Sequence, residues 1–387
     1  MTTGLKPIRR VVTGHDEQGR SKVVWDGPAP NAHEASMGAG RGHTDLWVWH
    51  TDPAPLSGAS DDGNLPYDFP GPPRGGHLRV VQSRSRPANY DSARDPEFVP
   101  VHPPTLRPAG RAWDRGGDNA YSSAMHKTET IDYGILLTGE RLLILDDCEL
   151  VMKPGDIVCQ IGAWHQWSSP GAGAQMAFDM FTAHFVDGPA GVAQVNDKPL
   201  VPSPHLKLPE GVKPARRIVT IDREPGQGSL VSDGPAPDVR TDPARPGFAS
   251  ARLWVTDCAP ARIVYESLHR PHTIEPPARG SVCRVVTVPP DDTWTGKVGA
   301  KEVQAFFRAM GSPGASTYSP HAPHPYMQKT RTLEFGLVLE GEIVLLLDTQ
   351  EVRLEAGEIV IQRGTNHAWS NRSGKSAIVA IASHDAA

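Results

Sequence analysis

Short runs of β-branched residues and leucine, interrupted every few positions by glycine, proline or charge, set the pattern of this sequence. From Tyr133 to Leu145 the chain carries Ile135, Leu136, Leu137, Leu142, Leu143, Ile144 and Leu145 around a Gly139-Glu140 turn. Glu149 to Met152 forms the next run. Lys153-Pro154-Gly155-Asp156 ends it, and Ile157 to Ile161 resumes. The same order returns as Leu337 to Leu347 with a Gly341-Glu342 turn, then Val352 to Leu354, then Ile359 to Ile361. Runs this short at regular spacing predict strands of a β-sandwich or barrel.

The recurrence extends further. Arg9-Arg10-Val11-Val12-Thr13 reappears 207 positions later as Arg216-Arg217-Ile218-Val219-Thr220, and Asp26-Gly27-Pro28 as Asp233-Gly234-Pro235. Leu46-Trp47-Val48 matches Leu253-Trp254-Val255 at the same offset. Asp132-Tyr133-Gly134, Gly162, His165 and Trp167 match Glu334-Phe335-Gly336, Gly364, His367 and Trp369 at 202. The chain therefore reads as two copies of one unit. The domains are expected at 1–200 and 205–387, with a turn-rich seam between Asp187 and Pro204. The tracts 52–78 and 84–118 read as extended loops. The N-terminal segment of each half either belongs to its own unit or is an arm that pairs with the other half; the pattern leaves both open.

Gly and Pro, 38 each in 387 residues, make up about one residue in five, which argues against long helices. A net charge of -5, spread along the chain, gives no basic face for nucleic acid. No apolar run reaches the roughly 20 residues that span a bilayer, and the first residues lack a signal peptide's apolar stretch, so a cytoplasmic location is expected. Cys148, Cys159, Cys258 and Cys283 form no CxxC pair and read as buried reduced thiols.

Candidate chemistry gathers at two places in each half. The first reads His126-Lys127-Thr128-Glu129-Thr130-Ile131-Asp132-Tyr133-Gly134, with Gly139 at the following turn; the second reads Gly155-Asp156, then Gly162-Ala163-Trp164-His165. This order resembles the cupin superfamily, and its duplication resembles a bicupin. The narrower pattern, His-x-x-x-Thr-x-Asp-Tyr-Gly, is similar to small single-domain cupins. The resemblance covers about 50 residues of each half. It implies an all-β chain of two tandem double-stranded β-helix, or jelly-roll, barrels with long Pro/Gly-rich loops.

Alternate residues of a strand share a face, so His126, Thr128, Thr130 and Asp132 are expected on one side, with His165 arriving from a later strand. Two imidazoles and a carboxylate with open positions form a facial triad. The expected metal ligands are therefore His126, Asp132 and His165, holding Fe(2+), another divalent metal, or none. Thr128 stands where the superfamily's common motif has a second His, which excludes its three-His set. Thr128 and Thr130 are expected either to orient substrate or oxygen, or to bond neighbours as inward polar residues.

In the second half Gln328 replaces the first His. That face reads Gln328, Thr330, Thr332 and Glu334 with His367, and it is expected to bind substrate, to hold a metal, or simply to stabilise its partner. His321 and His324 sit too early to take the missing place. Trp167 and Trp369 either wall a pocket for an apolar or aromatic substrate or pack the core. Tyr133 and Phe335 face the other way, into sheet packing.

The leading expectation is a bicupin enzyme: a non-haem metal-dependent oxygenase of dioxygenase type, with the metal in the N-terminal barrel, acting on a small organic substrate. A metal-independent isomerase, dehydratase, cyclase or decarboxylase using His126, His165 or Asp132 for proton transfer is the second. A non-catalytic small-molecule-binding protein is the third. The expected partner is the small molecule alone, and association into a homo-oligomer stays open.

Overall fold

The computed structural model describes residues 4–34, 37, 40–56, 61–64, 69–185, 201 and 208–387; the seam expected at 187–204 lies, apart from Val201, outside the described residues. The chain is almost entirely β-structure built on two large sheets. One runs, strand by strand, 227–235, 216–224, 157–161, 130–138, 175–184, 76–82, 42–49 and 31–34, with the short 261–262 strand pairing 175–184. The other runs 238–241, 249–255, 281–288, 377–385, 332–340, 359–363, 9–15 and 21–28.

Both orders contain an exchange. The hairpin of 9–15 and 21–28 leaves its own half and adds to the other through parallel pairing of Arg10, Val11 and Val12 with Ile359, Val360 and Ile361. The hairpin of 216–224 and 227–235 crosses the opposite way and pairs Arg217 to Ile221 with Ile157 to Ile161. The repeated arginines seal both seams. Arg9 binds Asp26 and Glu358, each at 2.8 Å. Arg216 binds Asp233 and Asp156, each at 2.7 Å. Of the two paths open for the N-terminal segments, the chain takes the arm.

The two large sheets pack face to face. Ile131, Tyr133, Ile135 and Leu137 share one buried cluster with Trp47, Trp254, Leu333, Phe335 and Leu337, so Tyr133 and Phe335 do face sheet packing. The Tyr133 hydroxyl meets Ser281 Oγ at 2.7 Å, and His384 Nε2 meets Asp179 at 2.9 Å, both across the halves. The opposite face of each large sheet is covered by a three-stranded sheet, 149–152/141–144/166–168 in the first half and 351–355/342–347/367–370 in the second. Leu136, Val158, Trp167, Met176 and Phe178 fill the first of these enclosed spaces, the N-terminal barrel. Val338, Leu345, Val360 and Ile381 fill the second.

The turn glycines behave as their positions require. Gly139 and Gly341 have φ of 74° and 79°, a conformation that costs a residue with Cβ. The loop expected at 52–78 ends in a strand, Gly76–Gln82, whose only apolar inward contacts toward the sheet interface are Leu78 and Val80. The tract 84–118 holds only two short strands and one helical turn, as a long loop would. The helix Ala300–Ala309 was not legible from composition; it buries Val303, Phe306 and Phe307 against the second barrel. All four cysteines are unpaired, but only Cys159 and Cys283 are buried, while Cys148 and Cys258 are partly exposed. Among the described residues, no helix is long and apolar enough to cross a membrane.

Candidate functional site

His126 and His165 meet in the N-terminal barrel. Their backbones form a bridge, His126 N to His165 O at 2.8 Å and His165 N to His126 O at 2.9 Å, and the ring centroids lie 4.2 Å apart. Each Nδ1 faces a backbone carbonyl at 2.8 Å, Ala124 for His126 and Ala163 for His165. That bond places the proton on Nδ1 and leaves Nε2 as the lone-pair donor. Desolvation pushes His126 well below the usual imidazole range, assisted by His165 and Arg107. Desolvation also takes His165 down to about 4, with Arg107 adding to the effect and the Ala163 carbonyl opposing it. Both rings are therefore neutral at pH 7. Phe69 approaches the His126 ring edge-on at 6.4 Å, and Trp167 approaches His165 at 5.9 Å. Of its two expected roles, Trp167 shows core packing, since it is buried among Leu143, Met176 and Phe178 beside His165.

Asp132 is placed differently from the expectation. His126–Thr128 belongs to a small sheet with 105–106 and 112–114, whereas Thr130–Thr138 runs through the large sheet. The chain passes from one sheet to the other at Glu129, while Thr128 and Thr130 stay on one side, Oγ1 to Oγ1 at 2.7 Å. Among the described residues, the three-residue set whose ligand atoms lie within 4.8 Å of one another is His33, His43 and Asp45; His126, Asp132 and His165 are not such a set. The structure brings the two imidazoles together, with the Asp132 carboxylate on the barrel side beside Met180 but not within that distance of both.

Asp132 sits instead in a cross-sheet row with Gln160 and Met180. Its Oδ1 and both ends of the Gln160 amide have no hydrogen-bond partner. Desolvation raises Asp132 to about 7, with Asp179 adding to the rise and Thr130 opposing it. Thr128 and Thr130 bond each other, Oγ1 to Oγ1 at 2.7 Å, so they act as inward polar residues.

A residue pair that sequence reasoning missed holds this region. Lys127 Nζ meets Asp222 Oδ2 at 2.6 Å, both buried, and Asp222 Oδ1 accepts from the Trp164 N–H at 2.9 Å. Asp222 comes from the exchanged hairpin of the other half. The one available signal was a lysine between His126 and Thr128, where an inward lysine needs a counter-charge.

In the second barrel the same backbone bridge joins Gln328 and His367, at 2.8 and 2.9 Å. Here Gln328 Nε2 sits 3.2 Å from His367 Nε2, the atom a metal would need. Glu334 accepts from Gln362 Nε2 at 3.1 Å and from Ser383 Oγ at 2.9 Å, so the counterpart of Asp132 is hydrogen-bonded. Thr330 and Thr332 pair at 2.7 Å, as Thr128 and Thr130 do. His321 is exposed and His324 packs on Trp294, so neither reaches this place. A cavity of about 50 Å³ lies beside them, lined by Arg245, Ser250, Arg284, Tyr326, Gln328 and Trp369 among others. Arg245 Nη2, Ser250 Oγ, Arg284 Nε and Nη2 and Trp369 Nε1 are buried there without an acceptor.

Comparison with known proteins identifies a family over part of the chain. Residues 312–383 match the cupin domain family model, so this part of the second half carries a cupin domain. Over 48 residues the chain is 52% identical to Phomopsin biosynthesis cluster protein C' of Diaporthe leptostromiformis, a span of 12% of this chain and 25% of that protein. Over 165 residues it is 25% identical to the cupin-domain-containing oxidoreductase fogC of Aspergillus ruber, spanning 42% of this chain and 65% of that protein. The chain thus spans less than two thirds of either relative. Among solved structures, a glyoxylate-induced protein from Pseudomonas aeruginosa aligns over 92% of both chains with 13% identity and a TM-score of 0.36.

Proposed function

We propose that this chain is a cupin oxidoreductase acting on a small organic molecule, with its reactive centre at His126 and His165. The observation that carries the reading is the pair of neutral imidazoles, each anchored through Nδ1 to a carbonyl with Nε2 left as donor. This chemistry fits a divalent transition metal such as Fe(2+), which His126 Nε2 and His165 Nε2 would hold. When bound, such an ion supplies redox or Lewis-acid chemistry to a ligand beside it, as a dioxygenase requires. Phe69 and Trp167 then wall the substrate side with aromatic edges. The naming of relatives as cupin-domain-containing oxidoreductases supports the same direction.

Metal analysis of the purified protein tests the reading. Near-stoichiometric iron or another transition metal, lost in a His126→Ala, His165→Ala double variant, is the expected result. Wild type and double variant carrying the same metal content would overturn it.

One observation favours a second reading. Asp132, buried and raised to about 7, is a carboxyl able to hold or release a proton near neutrality, which suits metal-independent acid–base chemistry. Turnover that survives chelation but is lost in Asp132→Asn would select this reading over the first.

For the second barrel we infer a ligand-holding role, consistent with a substrate-side function for Gln328, Thr330, Glu334, His367 and Trp369. Its cavity has unpaired N–H and O–H donors and no matching acceptor, which suits a carboxylate. A cavity of about 50 Å³ takes a small carboxylate group, since one water needs roughly 10–15 Å³.

A further inference from the structure

A separate cluster lies on the inner face of the first large sheet, at its edge. Cross-strand pairing runs from Asp45 to Arg79, and from Arg79 to Phe178, which belongs to the barrel's interior cluster. Paired residues share a face, so Asp45 and Arg79 also point inward; His43, two residues before Asp45, follows, and His33 pairs directly with His43. The two imidazoles stack, centroids 4.6 Å apart and planes 28° apart.

Asp45 is fully buried. Its Oδ1 accepts from Arg79 Nε at 2.7 Å, a bond that fixes the carboxylate plane and turns Oδ2 toward the histidines. Oδ2 lies 3.2 Å from His33 Nε2 and 3.7 Å from His43 Nε2, yet makes no hydrogen bond. Two imidazole nitrogens thus face one buried carboxylate oxygen at this range.

We propose that His33 Nε2, His43 Nε2 and Asp45 Oδ2 form a binding site for a zinc-like divalent metal ion, distinct from the His126/His165 pair. Donors around a tetrahedral ion at bonds of about 2.0–2.2 Å stand about 3.3–3.6 Å apart. The separations of 3.2 and 3.7 Å straddle that range, and all three atoms lie within 4.8 Å of one another. Arg79 orients the ligating carboxylate from behind, and such partners influence affinity about 10–100-fold. The His33 side chain is 42% exposed, so the fourth position opens to solvent and to an incoming ligand.

The test uses the full chain, stripped by chelator and titrated calorimetrically with Zn(II), then with Co(II) as a visible reporter. Wild type is expected to bind Zn(II) at this site and to give the absorption bands of four-coordinate Co(II). His33→Ala, a change at an exposed residue, weakens that site at least about tenfold, and His43→Asn does the same. The His126→Ala, His165→Ala double variant retains it, which separates this inference from the proposed catalytic centre. Zn(II) binding unchanged in His33→Ala, or no Zn(II) taken up at micromolar concentration, overturns the proposal and leaves a His–Asp contact that holds no metal.

Discussion

Lys127 and Asp222, 95 positions apart, form a buried ion pair at 2.6 Å that ties the exchanged hairpin of the second half to the strand carrying His126. Burial pushes the lysine down and the aspartate up, and their attraction only partly offsets this. Such a pair contributes little net stability compared with an apolar replacement, yet breaking it by removing one partner is costly. Asp222→Asn is expected to destabilise the fold by about 3–5 kcal/mol, read by denaturant unfolding. The Lys127→Met, Asp222→Leu double variant recovers most of that loss. A single variant as stable as wild type would show that the pair does not seat the hairpin.

Much of this arrangement was legible beforehand, and the missing parts share a cause. The turn spacing that announces Gly139 and Gly341, and the alternation that turns Tyr133 inward, are local properties of a strand. Arg9 and Arg216 also announced themselves as repeats. Their partners Glu358 and Asp156 did not, because parallel pairing between distant strands leaves no local pattern. The expected triad spans Glu129, where one apparent strand divides between two sheets, a change that no local pattern announces. His33, His43 and Asp45 come together through strand pairing and were not legible as a motif.

Two buried groups in the first barrel set opposing pH dependences. His165, lowered to about 4 from an ordinary 6.5, contributes stability that is present above pH 6.5 and lost as pH falls toward 4. Asp132, raised to about 7 from 3.8, contributes stability present below pH 3.8 and lost as pH rises through 7. Between pH 4 and 6.5 the two slopes oppose. Asp132→Asn removes one of them, so unfolding free energy in this variant is expected to rise with pH more steeply than in wild type. Urea unfolding at several pH values reads the slope directly. Parallel curves for the two proteins would mean that Asp132 is not held near neutrality.

The second barrel's donor surplus gives a binding prediction. Arg284 lies 3.7 Å from Glu334, too far for a hydrogen bond, and its Nε and Nη2 have no acceptor. Removing the guanidinium should weaken binding of a short carboxylate such as acetate or propionate at least about tenfold, in the range of a charged hydrogen bond. Calorimetric titration of wild type and Arg284→Met measures this. Equal affinity in both, or binding that is indifferent to replacing the acid by its amide, would remove the carboxylate assignment.

The difference between the barrels comes down to Gln328. Its amide nitrogen lies 3.2 Å from His367 Nε2, while the corresponding position in the first barrel is an imidazole. The backbone bridge beneath is the same in both, and His367 is already anchored by Nδ1 to the Thr365 carbonyl at 2.9 Å. Glu334 lies 3.7 Å from the same Nε2, close enough to add a carboxylate oxygen. Gln328→His is therefore expected to give the second barrel two imidazole donors beside a carboxylate and to raise metal content toward one additional equivalent per chain. Elemental analysis of the variant in a His126→Ala, His165→Ala background, after growth with supplemented iron, isolates the gain. No increase there would show that an imidazole at position 328 is not enough to make a metal site in this barrel.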